Sequence, residues 1–200
     1  MKKILIATAI AAALVAPQAF AQAANFAGLS LAANVNVTTA TTELSGVGVT
    51  AKLGEGSQTA SLQAAYGMAV GSNVVLGFGG TYALGDTKTG SLSSGGVTLG
   101  FKGKDMYSIY FEPGYAVSNS TMLYGKLAYL SMKAEVTANN LSASQNMNGV
   151  GYGVGVRTML DKNLFVQVEF SQSDYESKTV NGGTYKPTGS TGTVGIGYKF

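Results

Sequence analysis

The sequence contains no cysteine, no histidine, no tryptophan and only three prolines. Without cysteine there is no disulfide framework and no thiol nucleophile. Without histidine, Ser-His-Asp chemistry and most zinc sites are excluded. Charge is also sparse, with 13 Lys and Arg and 10 Asp and Glu in 200 residues. No stretch of the sequence reaches the ~20 apolar residues that a membrane-spanning helix requires. No cofactor motif is present. Gly149–Gly155 is glycine-rich but lacks the Lys-Ser/Thr ending and following helix of a phosphate loop.

The beginning reads as an export signal. Lys2 and Lys3 precede an apolar run, Ile4–Ala16, which Pro17 ends. Ala19-Phe20-Ala21 is a small-x-small cleavage site, giving a signal peptide over residues 1–21 and a mature domain over 22–200. Ala21-Gln22-Ala23 offers a second cut two residues later. Two of the 13 basic residues leave with the signal, so 11 face 10 acids. A near-neutral mature chain carries no nucleic-acid footprint.

The end, Thr193-Val-Gly-Ile-Gly-Tyr-Lys-Phe200, alternates strictly. Val194, Ile196, Tyr198 and Phe200 share one strand face; Thr193, Gly195, Gly197 and Lys199 share the other. The pattern recurs in runs near 25–38, 58–70, 74–84, 106–117, 121–132, 148–160, 164–173 and from about 188. Each matches the ~9–11 residues of a tilted transmembrane strand. Gly71–Asn73, Ser118–Ser120 and Asp161–Asn163 are short turns. Residues 39–57, 85–105, 133–147 and 174–187 are long connections, with 97–101 extending one hairpin. Alternating short and long connections are the outer-membrane pattern. The expected fold is all-β: an eight-stranded antiparallel transmembrane barrel.

The charge map agrees. No charged residue occupies the apolar face, where a mid-membrane Lys or Arg costs ~2–4 kcal/mol. The other face is rich in small residues, including Gly149, Gly151, Gly153 and Gly155, and carries five charges: Glu112, Lys126, Arg157, Glu169 and Lys199. Glu112 and Lys126 each lie seven positions from Asn119, which makes them cross-strand neighbours. Arg157 and Glu169 flank the next turn close to a diagonal pairing. Pro113 is awkward in a closed sheet, and a bulge or rim position would accommodate it.

The signal, the strand count, the hairpin Phe111–Tyr129 and the terminal Phe200 resemble the small eight-stranded outer-membrane barrels: the OmpA membrane domain, OmpX-like proteins and opacity-type adhesins. The resemblance implies a bacterial outer-membrane location among lipid and lipopolysaccharide. It implies an interior ion-pair network at the five charges, and a last strand whose Tyr198 and Phe200 are read by the barrel-assembly machinery. It also implies a non-enzymatic structural or surface-interaction role, adhesin-like, through four outside loops that could meet a host or surface ligand. The missing histidine excludes close analogues of the phospholipase, omptin and lipid A-modifying barrels. A narrow porin-like channel for ions or small solutes is the rival reading.

Overall fold

The computed structural model describes residues 22–46, 49–94, 97–138, 141–180 and 183–200. The signal segment, residues 1–21, lies outside the described residues. The strands are β1 (Gly28–Gly46), β2 (Val49–Ala69), β3 (Val74–Ala83), β4 (Thr87–Ser94), β5 (Val97–Ala116), β6 (Thr121–Ala138), β7 (Leu141–Met159), β8 (Leu164–Tyr175), β9 (Lys178–Val180) and β10 (Gly183–Lys199). Eight of them run in the order β1-β2-β3-β5-β6-β7-β8-β10, and β10 returns to β1. All pairings are antiparallel, and the closing ladder runs from Ser30↔Lys199 to Ser45↔Thr184. Among the described residues β4 pairs only with β5, and β9 only with β10.

Alternation positions the two faces. Leu31, Val35, Ile109, Leu127, Val154, Val168 and Ile196 are all exposed on the outer wall. In water such a surface would drive aggregation; in a bilayer it faces lipid tails. The outward-facing tyrosines sort toward the rims. Tyr82 pairs with Tyr107 at one level. Tyr115 and Tyr198 lie opposite Val74 and Leu164, beside the short turns. These are interfacial positions, where an aromatic ring and its hydroxyl meet the headgroups.

The expected long loops are largely strand. β1 and β2 stay paired up to Gly46↔Val49, and β6 and β7 up to Ala138↔Leu141. Only ~9–11 residues are needed to cross the hydrocarbon, yet β1, β2 and β5 have 19, 21 and 20. About half of each long strand therefore stands clear of it. The apolar alternation stops because no lipid selects for it, as where Val37 gives way to Thr39, Thr41 and Glu43. The backbone ladder continues because the amides still need partners, and threonine suits a strand.

The chain start also departs from expectation. Strand was expected from near Asn25; instead Ala23–Phe26 forms a 3₁₀ turn. The Ala23 N–H donates to the Ser72 carbonyl at 3.0 Å, and the Asn73 side chain donates to Gln22 Oε1 at 2.6 Å. Phe26 packs with Val75, Ala116, Met122 and Tyr124 inside the end that carries the short turns. Gly28, at φ +113°, turns the chain from this plug into the wall, a conformation that side chains disfavour.

Pro113 sits within the ladder rather than at a bulge. It lies opposite Leu76 of β3. Toward β6 the pairs resume in unchanged register, Phe111↔Leu127 and Gly114↔Tyr124, on either side of it. The bulge lies instead between Lys104 and Tyr107, where Asp105 adopts φ 48°.

Large side chains share the lumen with the small ones expected there. Tyr110, Met122, Tyr124 and Phe165 are buried inward. The inward glycines make room for them: a Cβ on Gly155 would collide with the Tyr124 ring, and one on Gly197 with the Phe165 ring. Outward Gly192 has open space. Gly155→Ala should therefore cost about 1–3 kcal/mol by overpacking, whereas Gly192→Ala should be close to neutral. Urea unfolding midpoints in lipid vesicles check this, and equal midpoints would contradict the packing.

Candidate functional site

Two regions carry chemistry: a charged cluster across the lumen, and the strands that project outside.

In the lumen, Glu112 on β5 accepts a hydrogen bond from Arg157 Nη2 on β7 at 2.9 Å. Lys126 on β6 bonds Glu169 on β8, and Tyr124 Oη also donates to Glu169, at 3.1 Å. Each contact skips a strand, so each is a chord of the ring. Glu112 and Lys126 occupy the opposed register expected of them, but their charges are 3.8 Å apart, and the nearer partners lie across the barrel. Arg157 and Glu169 are diagonal, as Arg157↔Gln167 and Gly155↔Glu169 show, yet each pairs elsewhere. The physical reason is the narrowness of an eight-stranded interior, just wide enough for side chains to meet. Lys199 stays outside the cluster, at the rim beside the short turns, where its carbonyl accepts from Asn163 Nδ2 at 2.6 Å.

Neutral groups extend the network. Arg157 Nη2 and Nε donate to Gln167 Oε1 at 3.0 and 3.2 Å. Gln167 Nε2 in turn donates to Asn34 Oδ1 on β1 and Gln63 Oε1 on β2, both at 2.9 Å. Gln167 is absent from the expected site, although its inward position between Val166 and Val168 was a usable signal. Aromatic faces supply further contacts. Lys126 Nζ lies 4.4 Å from the Tyr110 ring centroid, and the Arg157 guanidinium lies 5.1 and 5.0 Å from those of Tyr124 and Phe165. Such cation–π contacts strengthen when desolvated. Two acids and two bases thus neutralise one another and obstruct the lumen at this level.

Outside, the ring divides into two ribbons. β2 leaves its ladder with β3 at Ser61↔Ala83, and β7 leaves β8 at Gly149↔Tyr175. Beyond those points β9-β10-β1-β2 and β4-β5-β6-β7 are separate sheets. The seam on the β4 side is covered by side chains: Thr42 Oγ1 of β1 donates to the Thr89 carbonyl of β4 at 3.0 Å, and Lys88 of β4 reaches Glu55 of β2 at 3.7 Å. The other seam is open. The Asn148 carbonyl still accepts from the Glu176 N–H at 2.9 Å; among the described residues, the ladder of β7 beyond it runs to β6 alone, and Ser142–Asn146 is exposed throughout. That edge has no charge and no proline, the usual guards of a free strand.

The charges outside are balanced. Seven lysines and seven acids lie on the projecting strands and their connections, and among the described residues six ion pairs join them, including Lys104–Glu135 at 2.9 Å, Lys133–Asp105 at 2.8 Å and Lys186–Asp174 at 2.8 Å. A hydrogen bond from Lys52 holds the Glu43 carboxyl below the usual carboxylate range, and the bond to Asp174 raises Lys186. The lowered carboxyl keeps its contact until pH falls through its depressed range.

The model of the outer membrane protein beta-barrel domain family matches residues 6–200. No curated relative matches the chain. The attachment invasion locus protein Ail of Yersinia pestis, crystallised with the heparin analogue sucrose octasulfate, is 19% identical over 87% of this chain and 99% of its own, with a TM-score of 0.48. Neisserial surface protein A is 18% identical over 84% and 99%, with a TM-score of 0.47. The outer membrane protease OmpT of Escherichia coli is 11% identical over 86% and 97%, with a TM-score of 0.51, a likeness of fold.

The lumen distances rank the couplings. Double-mutant cycles should give larger interaction energies for Lys126–Glu169 and Arg157–Glu112 than for Lys126–Glu112. Glu169→Gln or Arg157→Met alone should cost about 3–5 kcal/mol by leaving the buried cluster with one uncompensated charge. A largest coupling at Lys126–Glu112 would contradict the chords.

Proposed function

The chain belongs to the outer membrane protein beta-barrel family, and from that premise we propose that this barrel of the bacterial outer membrane acts as a non-enzymatic surface-interaction protein. The carrying observation is the unguarded edge of β7. An exposed strand offers a row of backbone donors and acceptors, and an extended segment of another protein adds to it by pairing. Serine, alanine, asparagine and glutamine between residues 142 and 146 neither repel nor obstruct such a partner. The balanced charge outside favours this backbone mode over recognition of a polyanion. The reading is adhesin-like, with a protein strand as the ligand.

Bacteria displaying the barrel should adhere to a protein-coated or host-cell surface more than cells lacking it. Ser144→Pro, which removes a strand donor and breaks the edge, should abolish the gain while heat-modifiable migration stays normal. Adhesion unchanged by Ser144→Pro would sink the edge as the binding element. The second reading is a narrow channel, supported by the polar outer half of the lumen. It requires steady conductance from the native protein in planar bilayers, or a lasting increase with Glu112→Gln in a barrel that folds normally. The chords across the lumen favour a plug.

Export and assembly fit the same reading. Removal of residues 1–21 leaves Gln22 at the mature terminus, and its bond to Asn73 and the burial of Ala23 support that cut. The alternative, after Ala23, would remove both contacts. Phe200 is exposed to lipid, with its ring 5.0 Å from that of Tyr198. Its N–H donates to the Leu29 carbonyl at 2.8 Å. The assembly machinery would read these two rings, and lipopolysaccharide would surround the outer rim. Phe200→Leu keeps the backbone bond and loses the ring, so a drop in folded yield for Phe200→Leu indicates recognition of the aromatic. A drop only on deleting residue 200 would instead indicate closure of the ring.

A further inference from the structure

Above the charged cluster the lumen widens into a chamber of about 180 Å³ facing the exterior. Lys126 and Glu169, bonded to each other, border it at the level of the cluster. Below them Tyr124, Met122 and Phe26 fill the interior down to the periplasmic turns. A solute that enters meets an obstructed end, so the chamber is built for residence rather than passage.

Its walls differ in chemistry. One side presents Asn36, Ser61, Thr81, Ser108 and Ser171. The Asn36 amide is engaged by Ser61 and Thr193, whereas the hydroxyls of Thr81, Ser108 and Ser171 bond no other described residue. The other side presents Met106, Leu130, Met132 and Tyr175. Leu130 and Met106 belong to an apolar cluster with Met132, Met147 and Tyr175, separated from the apolar plug around Phe26 by the charged cluster. Methionine offers an adaptable, polarisable surface to a ligand, and a mostly apolar pocket with a few placed polar groups is the usual form of a small-molecule site.

The two walls select a neutral molecule that is itself two-faced. A charged solute finds no free counter-charge, because Lys126 and Glu169 satisfy each other. A purely apolar solute leaves the unbonded hydroxyls without partners. The volume holds about six waters, or one solute of monosaccharide size. A pyranose carries hydroxyls around its edge and C–H groups across its face, which match the hydroxyl wall and the methionine–tyrosine wall. We propose that this chamber is an outward-facing binding site for a neutral, monosaccharide-sized polyol. The proposal is independent of the β7 edge, which lies outside the chamber.

Methyl-¹³C methionine spectra of the full mature barrel in dodecylphosphocholine micelles provide the test. Glucose and N-acetylglucosamine are titrated separately, with glucose 6-phosphate and hexanol as comparators. The Met106 and Met132 methyls should shift saturably with at least one neutral sugar, at a dissociation constant of about 1 mM. Met122, below the charged cluster, and Met68 should not move. Thr81→Leu, which narrows the chamber, should remove the shift; Ser108→Val, a smaller change, should weaken it and covers the case in which Thr81→Leu does not fold. Absence of a saturable shift with both neutral sugars would overturn the proposal. So would saturation by hexanol alone, or tighter binding of glucose 6-phosphate than of glucose.

Discussion

Every backbone amide inside a bilayer must find its partner within the protein, since hydrocarbon supplies none. An open sheet would leave two unpaired edges there, so the ladder between β1 and β10 is the contact on which the molecule depends. It joins the two ends of the chain, from Ser30↔Lys199 upward. Once it forms, no edge remains at the level of the lipid. Phe200, through its bond to Leu29, extends the closure by one more hydrogen bond. The exposed apolar band then becomes a requirement rather than a hazard, because it is matched to its solvent.

Closure has a second consequence. Eight strands enclose a space that side chains must fill, and the charged groups within it cannot remain unpaired. The chain meets this with balanced pairs that reach across the ring rather than along one hairpin. Glycines opposite Tyr124 and Phe165 give the rings their places. The periplasmic end is finished by the plug around Phe26, and the outer half is left open, with a hydroxyl-bearing wall and an apolar one. Obstruction below and access above follow from where the large residues fall along the strands.

Outside the membrane the constraint relaxes. Water can serve a free amide, so the ring no longer needs to stay closed, and it parts into two ribbons. One seam is covered by β4 and the other exposes β7. Free edges are tolerated only where a solvent competes for them, so the free edge of β7 stands where the bilayer ends. Balanced ion pairs along the same strands keep the projecting sheets soluble without creating a field of one sign.

Much of the architecture was legible in the residues themselves. Period-two alternation, a lipid face free of charge, and short turns alternating with long connections point to a barrel, because lipid imposes a residue-by-residue selection that sequence records. The opposed register of Glu112 and Lys126 was legible for the same reason, since a tight turn sets cross-strand neighbours by counting. The partners that the charges choose were not: Arg157 with Glu112 and Lys126 with Glu169 depend on the width of the closed ring, which no local pattern encodes. The continuation of strand into Thr39–Gly46 was hidden because, beyond the lipid, a ladder can persist on backbone hydrogen bonds alone. The plug at Ala23–Phe26, the cradles under Tyr124 and Phe165, the open edge of β7 and the two-walled chamber all arise from contacts between distant segments. Sequence determined which residues face lipid and which face inward; only the closed tertiary structure decided which inward residues meet.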